Sequence, residues 1–301
     1  MTRPLAVVSG AAGDLGRAIT SRFLADGYAV VALERTEKLC AAARTGVSGP
    51  FLALAADQTD RAQVEDALTT AVEWGGGPSA VAANAGYAKY GPILTMLANT
   101  WNRHIDVNLT GTFYLCQVSA QRIADRRQGG SLTILGSSLA LAHSDQVGGY
   151  CVSKAALLPL MRTFAVELGD DKIRANAVLP GVVEAEMTRS LLDENGIRED
   201  LIDHTPCGRL GTPDDIAEAV AYLASPAASG SPEPLCVSMA GKPSTTNPNG
   251  CTRTARTPSS RTGYRGLDIV KLVDSERKRG ALDPRRSSPN RKVQELCSSE
   301  Y

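Results

Sequence analysis

The sequence predicts an α/β fold: a doubly wound parallel sheet of about seven strands with helices on both faces. Three observations predict it. Short apolar runs of the fully buried strand type recur along the first 241 residues. Segments with apolar positions at helical spacing alternate with those runs. Gly, Pro, Asn or Ser closes most of the runs, where a strand must hand over to a loop or helix. Parallel strands need crossover connections, and crossover helices cover both faces of the sheet.

Residues 5–8 form the first strand, and Ser9-Gly10-Ala11-Ala12-Gly13-Asp14-Leu15-Gly16 is the turn after it. A helix follows over 17–24 and ends at Gly27, and residues 29–33 form the second strand. Strand, glycine turn, helix and strand make a βαβ unit with a right-handed crossover. A glycine-rich turn at a helix start leaves backbone N–H groups free to hold a phosphate. Glu34 at the end of the second strand completes a dinucleotide-binding fingerprint. The bland alternative is a surface pair between Glu34 and Arg35, worth under about 1 kcal/mol.

Residues 51–56 are the third strand, ending at Asp57, and 63–74 are helical. Residues 80–83 are the fourth strand, ending in Asn84-Ala85-Gly86. A long helix over 101–124 contains Asn108. The fifth strand, 132–135, ends at Gly136-Ser137-Ser138. A helix over 152–168 carries Lys154 and also holds Pro159, which predicts a bend. The sixth strand, 175–179, is stopped by Pro180-Gly181. Pro213, Asp214 and Asp215 open a helix over 216–223, and 235–238 is a short last strand. Ligands in such sheets bind beyond the carboxyl ends of the strands, where Gly10, Glu34, Asp57, Asn84 and Ser137 all stand.

The chemistry centres on Tyr150 and Lys154, four residues apart and therefore on one helix face. A phenol titrates near ~10, and a neighbouring ammonium lowers that value. The pair suits general acid/base work on an alcohol or carbonyl. Composition excludes several other classes. The chain has 301 residues, 43% hydrophobic and 21% charged, with a net charge of zero. No apolar run reaches the ~18 residues of a membrane span, and no signal peptide is read at the N-terminus. Seven cysteines without Cys-x-x-Cys spacing point to reduced thiols and a cytoplasmic location. Three scattered histidines give no expectation of a metal centre. Residues 242–301 carry about 13 basic and 6 acidic side chains and read as a disordered basic tail, with one short element over 267–273. Nucleic-acid binding by that tail is not expected.

In this order, the motifs resemble the short-chain dehydrogenase/reductase family over residues 4–241. The resemblance implies a Rossmann-like fold, with residues 1–241 as the catalytic domain. It implies cofactor contacts from Gly10, Gly13, Leu15, Gly16, Glu34, Asp57, Asn84, Ala85, Gly86, Lys154, Pro180, Gly181 and Val183. It implies Tyr150 as acid/base, Lys154 as the group that lowers its pKa and holds the nicotinamide ribose, Ser137 as donor to the substrate oxygen, and Asn108 as anchor of a water beside Lys154. The implied reaction moves a hydride between NAD, with NADP as the alternative, and a small alcohol or ketone. An NADPH-dependent 3-oxoacyl reductase is the runner-up, and a catalytically idle cofactor-binding protein is the reading from another class. A homodimer or homotetramer is implied as well. Substrate would meet Tyr87, Leu139, His143, Gln146 and a lid over 186–204. Two departures from the family pattern carry expectations. Asp14 stands where glycine is usual and is expected to cap its own helix. Ala185 stands where threonine is usual, which leaves the carboxamide contact to backbone such as Val183.

Overall fold

The computed structural model describes residues 3–142, 144–193, 196–203, 205, 207–230 and 236–239. The tail 242–301, with its element at 267–273, lies outside the described residues, as do His143 and His204. The first half runs β1 (Leu5–Ser9), α1 (Asp14–Ala25), β2 (Ala29–Glu34), α2 (Glu37–Arg44), β3 (Phe51–Ala55), α3 (Arg61–Gly75) and β4 (Pro78–Ala83). Next come α4 (Ala98–His104), a π-helical turn (Ile105–Gly111), α5 (Thr112–Asp125), β5 (Gly130–Leu135), α6 (Gly148–Ala155), α7 (Leu157–Glu167) and β6 (Ile173–Pro180). The chain then forms α8 (Glu186–Leu192), α9 (Ile197–Asp203), α10 (Pro213–Ala224) and β7 (Cys236–Met239).

All seven strands are parallel, in the order β3-β2-β1-β4-β5-β6-β7. The alternation within each strand decides which helices cover which face. Leu5, Val7, Val31, Leu132 and Ile134 point to one side and pack with Leu68 of α3, Leu115 and Ile123 of α5, and Leu157 and Met161 of α7. Ala6, Val8, Val30, Ala32, Ala80 and Ala82 point to the other and meet Ile19 and Phe23 of α1 and Val220 of α10. That second face is mostly alanine, which lets α1 and α10 lie close to the sheet. The strand order reverses at β1, whose neighbours are β2 and β4, so a crevice opens beyond the carboxyl ends there.

Two helical expectations change in detail. The helix expected over 101–124 is divided by the π turn around Asn108. The helix expected over 152–168 starts earlier, at Gly148, and breaks at Ala156. The break precedes Pro159, so the proline falls in the first turn of α7, where its missing N–H is tolerated best. Helices α2, α8 and α9 were not read from the sequence; each has only seven or eight residues. The entry to α10 follows expectation as a capping box. Thr212 Oγ1 accepts from Asp215 N, and the Asp215 carboxylate accepts from Thr212 N. Arg209 holds that carboxylate with two hydrogen bonds, which keeps it well below the usual carboxylate range.

The turn after β1 is set by close contact. Gly10 has φ of +66°, and a Cβ there would stand 2.9 Å from Ala85 Cα. A Cβ on Gly16 would lie 2.1 Å from the Gly10 carbonyl oxygen. Gly13 is different, since a Cβ there would meet only that same oxygen at 3.7 Å. Gly16→Ala should therefore destabilise the fold by about 3 kcal/mol through overpacking against immobile backbone, whereas Gly13→Ala should change stability by less than about 1 kcal/mol. Urea unfolding of both variants checks this; equal losses would contradict it.

Candidate active site

Beyond the carboxyl ends of the strands lies one cleft of about 2100 Å³. That exceeds the ~300–1,000 Å³ of a drug-sized pocket and leaves room for a dinucleotide beside a substrate. All the catalytic and cofactor-binding residues expected from the sequence line it except Asn108. Asn108 is fully buried behind the wall.

The floor at the cofactor end is built from β1, β4 and their turns. Asn84 Nδ2 donates to the carbonyls of Ser9 (3.1 Å) and Gly10 (3.0 Å), and Ser9 Oγ accepts from the amides of Asn84 and Ala85. Asn84 thus holds the glycine turn in place. Gly13 is the N-cap of α1 and brings no side chain, so the first amides of α1, including that of Leu15, face the cleft. Glu34 is 5% exposed and does not pair with the exposed Arg35. Its Oε1 accepts from Ala12 N at 2.5 Å, which stitches the end of β2 to the turn. Burial raises the Glu34 carboxyl, while the Ala12 amide and the Arg17 guanidinium pull it down. Arg17 is itself engaged with the carbonyls of Ala12, Ala42 and Thr45. Asp57 Oδ1 accepts from the amide and hydroxyl of Thr59, which closes the turn after β3. Pro180, Gly181 and Val183 line the cleft where β6 ends. A side-chain-free turn, helix amides and an acid at the end of β2 fit a dinucleotide.

At the other end Ser137, Tyr150 and Lys154 come together. Ser137 follows β5, caps a short 3-10 turn by accepting from Leu139 N (3.2 Å), and its hydroxyl stands by the Tyr150 phenol, whose pKa it pulls down. Lys154 is 5% exposed; its Nζ donates to Leu135 O at 2.7 Å and lies 5.9 Å from the centre of the Tyr150 ring. Burial pushes the Tyr150 phenol up to about 12, against the pull of the Ser137 hydroxyl. Burial brings the Lys154 ammonium down to about 8. In the chain alone desolvation of the phenol dominates, and the Lys154 ammonium is turned to a carbonyl.

Asn108 positions this group together with three side chains that the sequence did not single out, Ser153, Gln58 and His104. Asn108 Oδ1 accepts from Tyr87 N (2.7 Å), and its Nδ2 donates to Tyr87 O (2.9 Å) and to Ser153 Oγ (2.9 Å). Ser153, fully buried, donates on to Tyr150 O at 2.8 Å. Gln58 donates to Val107 O at 2.9 Å, taking up a carbonyl within the π turn. His104 is also buried, with Nδ1 against Thr100 O and Nε2 accepting from Lys89 N, and it packs on Tyr87. Burial lowers its pKa, which suits a neutral ring that pins the loop after β4. Alternating polarity and helical spacing do not reveal such partners.

Both departures from the family pattern find partners. Asp14 does not cap α1; its Oδ2 accepts from Glu186 N at 2.7 Å. Near Ala185, Thr188 Oγ1 accepts from Ala185 N (3.2 Å) and donates to Val183 O (2.5 Å), which puts a threonine hydroxyl in the cleft wall three residues on.

A protein-family model described as Enoyl-(Acyl carrier protein) reductase matches residues 10–231. The chain belongs to the short-chain dehydrogenase/reductase family. It is 31% identical over 231 residues to an L-rhamnose 1-dehydrogenase (NAD(P)(+)) of Azotobacter vinelandii, covering 73% of this chain and 88% of that one. It is 33% identical over 232 residues to a (3R)-3-hydroxyacyl-CoA dehydrogenase of Mus musculus, covering 73% and 89%. Among solved structures, an oxidoreductase of the family from Burkholderia thailandensis superposes with a TM-score of 0.73 at 31% identity, covering 80% of this chain and 92% of that one.

The buried lysine makes a stability prediction. A lysine lowered to about 8 by burial is penalised in the folded state at neutral pH, and the penalty fades as pH rises from about 8 toward the unfolded value of 10.5. Lys154→Met should therefore stabilise the chain at pH 7 by up to about 3 kcal/mol, with less gain near pH 10. Urea unfolding at both pH values measures it, and destabilisation at pH 7 would refute it.

Proposed function

We propose that Tyr150 is the general acid/base of this oxidoreductase, with Ser137 and Lys154 beside it, acting between a small alcohol or ketone and NAD. Oxidoreduction of that kind goes with the family. The observation that carries the reading is the convergence of Ser137, Tyr150 and Lys154 on one cleft with the glycine turn and Glu34 at its other end. The nicotinamide cofactor, when bound, supplies or takes the hydride. Ser137 donates a hydrogen bond to the substrate oxygen as charge develops on it. Tyr150 gives that oxygen a proton in reduction and takes one in oxidation. Lys154 holds positive charge beneath the phenol, and Asn108 with Ser153 holds the helix that carries both. Residues 1–241 are proposed as the catalytic domain.

Glu34 supports NAD over NADP. One carboxylate oxygen is held by Ala12 N, so the acid stays at the end of β2, where ribose hydroxyls can donate to it. A 2′-phosphate there would meet a carboxylate at ~4 Å, a repulsion of about 4 kcal/mol at an effective dielectric near 20. Arg17, held by three carbonyls, tempers this repulsion from a fixed place and is not free to turn to the phosphate. The substrate end has a polar wall with Tyr90, Asp145 and Gln146 and an apolar one with Leu139, Met187 and Leu201. The polar wall favours a hydroxylated alcohol; the apolar wall supports the 3-oxoacyl reductase reading as second.

A second copy of the chain is proposed to cover Leu94, Leu97 and Trp101, which are 95%, 64% and 36% exposed. Among the described residues no helix is long and apolar enough to cross a membrane. Cys40, Cys116, Cys151 and Cys207 are free thiols, which supports a cytoplasmic site.

Tyr150→Phe should lower turnover by ~10²–10⁴-fold with cofactor affinity nearly unchanged, measured by NADH titration and a panel of alcohols and ketones. Wild-type turnover in that variant would remove Tyr150 from the reaction. Because burial holds the phenol high, kcat/KM for alcohol oxidation should climb from about pH 6 to about pH 9, while reduction should stay flat. An oxidation rate independent of pH would argue for another base. For the cofactor, kcat/KM should favour NAD, and Glu34→Ala should shrink that preference; a wild-type preference for NADP would bring the reductase reading forward.

A further inference from the structure

Asp14 is the first residue of α1, beside the turn that would hold the diphosphate, and its carboxylate faces away from α1. Gly13 is the N-cap of that helix and makes no side-chain cap. Asp14 Oδ2 instead accepts from Glu186 N at 2.7 Å, across 172 residues of chain. Glu186 opens α8, the first helix of the lid over the substrate end. The segment before α8 closes on itself, with Thr188 Oγ1 bonded to Ala185 N and Val183 O. Glu184 in that segment pairs with Arg198 of α9, so both lid helices are tied to it. Asp14 ties that unit to the glycine turn on the far side of the cleft, and Glu186, Met187, Thr188, Ile197 and Leu201 of the unit face the interior.

A carboxylate at this place has two opposite effects. It serves an N-terminal amide of α8, where a negative acceptor is favourable. It also puts negative charge next to the site for a diphosphate, where like charges repel. We infer that Asp14 is a positioning residue that holds lid helix α8 on the glycine turn, coupling the substrate side of the cleft to the cofactor side and weakening cofactor binding as it does so. The inference rests on the proposed reading of the cleft as a cofactor and substrate site.

The test compares full-length wild type with Asp14→Gly and Asp14→Asn. Asn keeps an oxygen for the Glu186 amide and removes the charge; Gly removes both. Hydrogen exchange is read first, on protein without cofactor. In Asp14→Gly, exchange over residues 186–203 should quicken by about tenfold or more, while Asp14→Asn should stay near wild type. NADH titration should give tighter binding for both variants, by several-fold. In turnover, Asp14→Gly should raise substrate KM by about tenfold with kcat within about twofold, and Asp14→Asn should restore KM. Unchanged exchange in Asp14→Gly overturns the inference, as does an equal rise in KM for both variants. Should Asp14→Gly not fold, Asp14→Ala replaces it with the same expectations. Absence of turnover with every substrate would count against the proposed function, while the exchange comparison would still decide the role of Asp14.

Discussion

The cleft depends on one close approach between backbones, that of Gly16 to the Gly10 carbonyl. A Cβ at Gly16 would overlap that oxygen, so α1 can start directly beneath the end of β1 only because the position has no side chain. From this contact the first amides of α1 point into the crevice at the reversal of strand order. Asn84 then fixes the turn from the neighbouring strand with bonds to Ser9 and Gly10. Glu34 fixes it from the other side through Ala12. The three strands β2, β1 and β4 thus meet in a single hydrogen-bonded knot, and the cofactor end needs no mobile part.

The reacting end is held by different means. Asn108, Ser137, Ser153 and Lys154 are buried there, and each is tied to backbone or to another polar group. Tyr87, Asn108, Ser153 and Tyr150 form one chain of hydrogen bonds that joins the loop after β4, the π turn and α6. A regular helix would not carry the same widened turn; the π turn presents Asn108 there, with Val107 O taken up by Gln58. Such a network fixes side-chain direction where apolar packing alone leaves rotamers open. Lys154 is the exception in energy, since a cation is buried against a single carbonyl. A group kept there at a cost to stability is consistent with selection for chemistry rather than for the fold.

What could be read from the sequence follows from range. Strand runs such as 5–8 and 132–135 are short, apolar and bounded by Gly or Ser, so local pattern suffices, and the order of layers follows. The glycine turn, Glu34, Asn84, Ser137, Tyr150 and Lys154 are legible because each stands at a strand end or at helical spacing from another. The breaks at Ala156 and in the π turn were less legible. Only Pro159 signalled the first, and the second depends on Gln58 and Tyr87, distant in sequence. For Tyr150 and Lys154 the spacing shows that a lysine is near, but not that both groups are desolvated or that the ammonium bonds Leu135 O. Asp14 was misjudged, because a residue at a helix start is normally read against its own helix.

The two carboxylates that flank the glycine turn, Glu34 and Asp14, share one arrangement. Each accepts from a backbone amide outside its own element, Ala12 for Glu34 and Glu186 for Asp14. Both acids therefore act as braces before they act as charges. Arg17, the cation nearest the turn in sequence, bonds the carbonyls of Ala12, Ala42 and Thr45 and keeps its charge, which pulls the Glu34 carboxyl down. A dinucleotide at this place would be attracted by helix amides and an unobstructed backbone and opposed by two acids. Attraction from amides is directional and short-ranged, whereas the opposition acts on net charge. That combination asks for a ligand that fits the turn closely. It makes the geometry of the turn, rather than a basic patch, the source of affinity.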